Sequence, residues 1–145
     1  MSTSITITDW EDARELVKPI RIKVFILEQK VPEELEWDEY DETAWHAVAK
    51  SNHQVIGTGR LIINQSNQST AKIGRMAIDP EYRGKGIGIE MLKALINKGK
   101  EKGAQEFILH AQTHAIAFYA REGFEPYGPI FDEAGIPHVE MRLYV

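Results

Sequence analysis

The sequence contains no cysteine. This excludes a thiol nucleophile, a thiolate metal cluster and a disulfide framework, and it suits a reducing cytoplasm. No apolar run approaches the length of a membrane-spanning helix, and the polar start Met1-Ser2-Thr3-Ser4 does not read as a signal peptide. Positive charge is in the minority: 17 Lys and Arg face 22 Asp and Glu, for a net charge of −5. That balance argues against a nucleic-acid or anionic-membrane partner. There is no internal repeat and no low-complexity linker. At 145 residues the expectation is one soluble, cytoplasmic domain over 1–145 with a substantial core.

Missing motifs narrow the chemistry further. No G-x-S-x-G elbow offers a hydrolase nucleophile. No H-E-x-x-H is present, and His110 and His114 straddle an expected strand end and helix start, so no metal is expected. A P-loop needs G-x-x-x-x-G-K-[ST], but Gly84-Lys85 is followed by Gly86 and the upstream glycine is missing. A dinucleotide fingerprint begun at Gly84 or Gly86 would need glycine where Ile89 or Met91 stands.

What the chain does have is Arg83-Gly84-Lys85-Gly86-Ile87-Gly88. A strand-like run, Ile73 to Ile78, enters this loop through Asp79-Pro80. A helix leaves it, with Ile87, Met91, Leu92, Leu95 and Ile96 at helical spacing. Glycine lets the backbone come close to a ligand, and the first turn of a helix offers unpaired N–H donors at its positive end. Acids usually occupy that end, whereas Arg83 and Lys85 stand there instead, which suits a polyanion. The loop reads as a phosphate cradle.

Around it the pattern alternates. Ser4 to Thr8 is an expected strand, followed by a helix capped by Asp9 and running to about Val17. Pro19 suggests a fresh start, so a second helix is expected from Pro19 to about Gln29, with Ile20, Val24 and Leu27 as one stripe and Arg21, Phe25 and Glu28 on a cleft-facing side. Residues 30–44 carry Glu33, Glu34, Glu36, Asp38, Glu39, Asp41 and Glu42, with Trp37 and Tyr40 between them. This is either a solvated acidic loop or a field that collects a cationic amine beside two aromatic faces. Strands follow at Trp45–Ala49, Val55–Ile63 and Ala71–Ile78, then the glycine loop and its helix, ending in Lys98, Lys100 and Lys102 before Gly103. A strand at Glu106–Ala111, a helix at His114–Glu122 and strands near Phe124–Phe131 and His138–Val145 complete a mixed α/β order, β-α-α-β-β-β-α-β-α-β-β.

That order, the R-x-x-G-x-G loop, and Gln112-Thr113-His114-Ala115-Ile116-Ala117-Phe118-Tyr119 followed by Gly123-Phe124 together resemble the GNAT superfamily of acyl-CoA N-acetyltransferases. Val24-Phe25, Glu28-Gln29, Asp38, Asp41, His46 and Arg60 resemble its small ElaA-like branch. The resemblance implies a mostly antiparallel sheet of about seven strands with four helices, and acetyl-CoA as co-substrate. It assigns the cofactor to Met76, Ala77 and Ile78, to Arg83, Gly84, Lys85, Gly86, Ile87 and Gly88, and to Gln112, Ala115, Phe118 and Tyr119. Gln112 stands where many relatives have asparagine. A backbone N–H near Met76 to Ile78 would meet the developing oxyanion, and Tyr119 would protonate the departing thiolate, a phenol being near a thiol in pKa.

For the base, the residues themselves offer Glu28 and His46, with a water relay as the alternative. Phe25, Glu28, Trp37, Asp41, His46, Arg75 and His110 are the candidates for the acceptor pocket, and Glu42, Glu133 and His138 are further candidates to line it. The acceptor is expected to be a small-molecule or peptide amine, and the acidic loop points to a cationic one. The same fold could instead hold acyl-CoA without turnover, as a sensor or scaffold. A homodimer is common in the superfamily, but nothing in this sequence specifies an interface.

Overall fold

The structure is a computed structural model and describes residues 3–145. Strand β1 (Thr3–Thr8) precedes helix α1 (Trp10–Arg21), whose first turn is capped by the Asp9 carboxylate accepting from the Asp12 N–H at 3.0 Å. A short helix α2 (Glu33–Glu36) follows. Next come β2 (Trp45–Ser51), β3 (Gln54–Ile63), β4 (Thr70–Ile78), α3 (Ile87–Glu101), β5 (Glu106–Gln112), α4 (Ile116–Ala120), β6 (Glu125–Glu133) and β7 (Ile136–Tyr144). The strands form one sheet in the order β1-β2-β3-β4-β5-β7-β6. All pairs are antiparallel except β4 with β5, which run parallel.

Each sheet face is covered by a helix, because the strands alternate in what they bury. Ala47 and Ala49 of β2 pack in the core that α3 completes with Met91, Leu92, Leu95 and Ile96. Val48, between them, faces α1, where Ala13, Val17 and Ile20 form a second, smaller core with Val24 and Phe25. Alanine on one face and α3's larger side chains on the other let the helix sit close to the sheet. Gly88, on the first turn of α3, leaves room for its neighbours: a Cβ there would stand 3.1 Å from Ile78 Cδ1 of β4 and 3.0 Å from the Phe118 ring of α4.

One expected boundary is wrong. Pro19 does not start a second helix but lies inside α1, and residues Ile22–Glu28 continue it in wider, π-type turns. Proline removes the N–H that would bond to the Glu15 carbonyl, but Glu15 lies on the exposed side of α1, where water can replace it. The wider winding carries Gln29 N–H to the Val24 carbonyl at 3.0 Å. It also breaks the expected stripe: Val24 is buried, while Leu27 is 60% exposed. Residues 30–44, expected as loop, contain α2 and a 3-10 turn at Glu39–Thr43.

Candidate active site

The parallel pairing of β4 with β5 is short. It joins Thr70–Ile73 to Glu106–Leu109 and then stops. From Gly74 on one side and His110 on the other the strands separate, opening a cleft of about 1700 Å³ through the middle of the sheet. On β5 the side chains alternate, so Ile108, His110 and Gln112 face the cleft while Phe107, Leu109 and Ala111 are in the core. On β4 the lip is irregular. Thr58 pairs with Ala77 and Arg60 with Gly74, so Arg75 and Met76 stand together opposite the single Gly59. This is a β-bulge, and it takes two residues' backbone polar groups out of the regular ladder at the edge of the cleft.

The bulge is held in an unfavourable conformation. Arg75 has φ +52°, which a long side chain rarely adopts. Its guanidinium explains how it persists: Nη2 donates to the Glu36 carbonyl and to Asp38 Oδ2, both at 3.1 Å, and to the Leu35 carbonyl at 3.3 Å. The end of α2 therefore clamps the bulge from above.

Arg75 is one of three arginines in a buried charge cluster. Arg21 donates to Glu36 Oε2 at 2.7 Å, to the Glu36 carbonyl at 2.9 Å and to Asp41 Oδ1 at 2.8 Å, and it lies over the Trp37 ring at 4.8 Å. Arg60 donates to Asp38 at 2.7 Å and to Asp41 at 3.0 Å. Burial pushes the Glu36 carboxyl up, with Arg21 and Arg75 opposing it. Asp38, although burial raises it, ends below the usual carboxylate range because Arg60 and Arg75 bond to it.

This cluster corrects several expectations about the acidic loop. Glu36, Asp38 and Asp41 are not a field waiting for a cationic ligand; arginines from α1, β3 and β4 neutralise them. Asp41 and Trp37 border a shallow hollow beside Trp10 instead of the cleft. His46 is likewise outside the cleft lining: it is 1% exposed, packs against the Trp10 ring and bonds through Nε2 to the Asp41 carbonyl at 2.9 Å. Burial depresses its pKa, so it is a neutral structural histidine and not the base. The sequence could not reveal this, because the Trp10 ring that covers His46 and the arginines around Asp41 come from elements far apart in the chain.

The other expected residues do gather at the cleft. Phe25, Glu28, Arg75, His110, Gln112, Ala115, Phe118 and Tyr119 line it, as do Met76, Ala77, Ile78, Arg83, Gly84, Gly86, Ile87 and Gly88. Lys85 does not; its Nζ lies 5.4 Å from the centre of the Tyr82 ring. Glu28 is not a free base, since Arg83 grips its two oxygens at 2.6 and 2.8 Å, which holds its carboxyl below the usual range. Gln112 donates to Gln29 Oε1 at 2.9 Å, a pairing across the cleft that sequence reading did not anticipate. Burial pushes the Tyr119 phenol up to about 12, so it is protonated at neutral pH but further from a thiol than a free phenol would be.

At the loop, Gly84 and Gly86 have φ +78° and +83°, with open space where a Cβ would stand. No side chain caps the N-terminus of α3. The loop therefore presents bare backbone at the positive end of a four-turn helix, beside a cleft long enough for an extended ligand. These features fit the diphosphate and arm of an acyl-CoA.

The model of the GNAT acetyltransferase domain matches residues 12–145. The chain belongs to the GNAT acetyltransferase family. Among its relatives, the protein YyaT of Bacillus subtilis is 41% identical over 138 residues, covering 93% of this chain and 90% of YyaT. The crystal structure of an acyl-CoA N-acyltransferase from Pseudomonas aeruginosa superposes with a TM-score of 0.87 at 27% identity, covering 97% of this chain and 99% of that one. ElaA of Escherichia coli is 25% identical over 87% of this chain and 84% of its own length, and its structure has the same fold at a TM-score of 0.87. The mixed α/β architecture of this GNAT chain, with seven strands and four helices, is thus that of acyl-CoA N-acyltransferases. Among the described residues no helix is long and apolar enough to cross a membrane.

Proposed function

We propose that this GNAT protein transfers the acetyl group of acetyl-CoA to a primary amine in a single ternary complex. The observation that carries this reading is one cleft bordered by a bare, left-handed glycine loop at a helix start and by a β-bulge on β4. The loop N–H groups from Gly84 to Gly88 would hold the diphosphate, and the β5 lip at Gln112 would lie along the arm. Acetyl-CoA, when bound, supplies an acetyl group activated as a thioester. The amine nitrogen bonds to the acetyl carbon as the carbon–sulfur bond breaks, and the sulfur leaves with the electron pair. A backbone N–H of the Arg75–Met76 bulge is the donor for the developing oxyanion. Tyr119, protonated at neutral pH, donates its hydroxyl hydrogen toward the sulfur, and the proton shed by the acylated nitrogen returns to the phenol through water. With no cysteine in the chain, direct transfer is favoured over a cysteinyl acyl-enzyme.

Calorimetric binding of acetyl-CoA, with adenosine 3′,5′-bisphosphate and ATP as controls, tests this directly. Wild-type protein should bind acetyl-CoA. Gly86→Val should lose that binding while still unfolding cooperatively, because a β-branched residue resists φ +83° and fills the cradle. No binding at millimolar acetyl-CoA would overturn the reading. Tyr119→Phe then separates turnover from simple holding: its rate of thiol release should fall on the order of 10²-fold or more. A rate within about threefold of wild type would remove the general-acid role.

A further inference from the structure

Among the described residues, the carboxylates that line the cleft are Glu28, Glu36, Asp38 and Glu133. Three are already neutralised: Glu28 by Arg83, Glu36 by Arg21 and Arg75, Asp38 by Arg60 and Arg75. Glu133 is different. Its nearest basic neighbours are two histidines, His110 and His138, which carry charge only when protonated, with no Lys or Arg among the described residues at that distance. A cationic group entering the cleft gains an uncompensated carboxylate at Glu133, whereas elsewhere it would have to displace an arginine.

The position of this group is as informative as its charge. His110 is the first residue of β5 beyond the β4 pairing, and Gly74 is its counterpart just before the Arg75–Met76 bulge. The histidine and the bulge therefore face each other across the opening of the split. Glu133 Oε1 lies 2.9 Å from His110 Nδ1, and Glu133 Oε2 lies 3.7 Å from His138 Nε2. His138 is kept in place by donating from Nδ1 to the Ile136 carbonyl at 2.7 Å. The remaining neighbours of His110 are the Phe131 ring, edge-on at 5.0 Å, and Glu140, whose Oε1 is 3.9 Å from Nε2. Glu140 also accepts from Arg142 at 2.7 Å. An imidazolium at this position would have a carboxylate at each ring nitrogen.

We infer that Glu133 docks the ammonium group of the acceptor and that His110 is the base that receives its proton. This rests on the acyl-transfer reading above and names the acceptor class for it: a primary amine that is protonated at neutral pH. His110 Nδ1 donates to the Glu133 carboxylate at 2.9 Å, so the imidazole lone pair is at Nε2; an ammonium N–H bond breaks and the proton passes through water to His110 Nε2. The amine is left neutral with its lone pair, and the positive charge moves to the imidazolium. No other reactant is required. The base is thus on the β5–β6–β7 side of the cleft, and the acids of residues 33–42 have no part in it.

The test uses the whole protein with n-propylammonium as the probe, followed through the ring C–H signals of the histidines, with and without saturating CoA. The signals of His110 and His138 should shift on titration. Glu133→Gln should weaken probe binding at least tenfold while acetyl-CoA affinity stays within about twofold. Shifts confined to His46 or His114, or a Glu133→Gln variant that binds the probe like wild type, would overturn the docking site. The base role is read from thiol release with propylamine across pH. His110→Gln should lower kcat on the order of 10²-fold with an unchanged KM for acetyl-CoA, and the deficit should narrow as rising pH supplies neutral amine. A wild-type rate no higher than that of His110→Gln, or a deficit independent of pH, would overturn it. Failure of the acyl-transfer reading shows separately, as loss of acetyl-CoA binding in calorimetry, and the CoA-free titration still judges the ammonium site.

Discussion

Two groups of acids lie at or beside the same cleft, and their surroundings make them different chemical objects. Glu36 and Asp41 are 2% and 3% exposed, with two arginine partners each. Glu133, at the other end, has 46% of its side chain exposed and faces imidazoles. The first group cannot take a cation without losing an arginine; the second can. A run of acids in a sequence therefore says little about which ligand it attracts. What decides is whether distant parts of the chain bring permanent positive charge to it.

The largest expected effect comes from breaking the sealed group. Arg21→Met keeps the size of the side chain but leaves Glu36 and Asp41 without their shared partner. With three carboxylates left to Arg60 and Arg75, the loss should be about 3–5 kcal/mol, to be read from chemical denaturation. Glu133→Gln, at the open end, should change stability by no more than about 0.5 kcal/mol. Equal costs at both ends would erase the distinction between a structural and a binding group.

The next effect tests the link between the sealed group and the cleft. Arg75 contributes a guanidinium to the cluster and a left-handed backbone to the bulge. Arg75→Ala loses the clamp and keeps the backbone strain, whereas Arg75→Gly loses the clamp and relieves the strain. The glycine variant should be more stable by about 1 kcal/mol, and both should release thiol more slowly than wild type as the bulge loosens. Alanine as stable as glycine would mean that the bulge had already relaxed, so the clamp stores no strain.

How much of this was legible in the sequence follows from how far apart the interacting residues lie. The glycine loop is local: strand, turn, three glycines and an amphipathic helix are contiguous, and each residue's role could be read from its neighbours. The strands were legible for the same reason, through alternation and turn residues. Pro19 misled because its effect on a helix depends on whether the unpaired carbonyl is wet, which is a tertiary fact. The acidic loop misled because Arg21, Arg60 and Arg75 come from three different elements. His46 and His110 both sit on strands near acids, yet one is sealed beneath Trp10 and the other faces a cleft. Only the sheet register separates them.

The smallest effect concerns the pair that belongs to neither group. Glu28 and Arg83 are each about two-fifths exposed, so their mutual attraction is screened by water and should contribute under about 1 kcal/mol to stability. The sign with pH is set by Glu28, whose carboxyl Arg83 holds below its ordinary 4.5. The contribution is present above pH 4.5 and is lost as pH falls through the lower folded value, so wild type and Glu28→Gln should converge in acid. The effect on acetyl-CoA should run the other way. Arg83 also donates from Nε to the Ile78 carbonyl at 3.1 Å, which anchors it to the end of β4 whether or not Glu28 is present. Removing the carboxylate therefore leaves a positioned guanidinium with no competing anion, and acetyl-CoA should bind a few-fold more tightly to Glu28→Gln in calorimetry. A tenfold loss of affinity would instead mean that Glu28 is what aims Arg83 at the loop, and the pair would then count as part of the cofactor site.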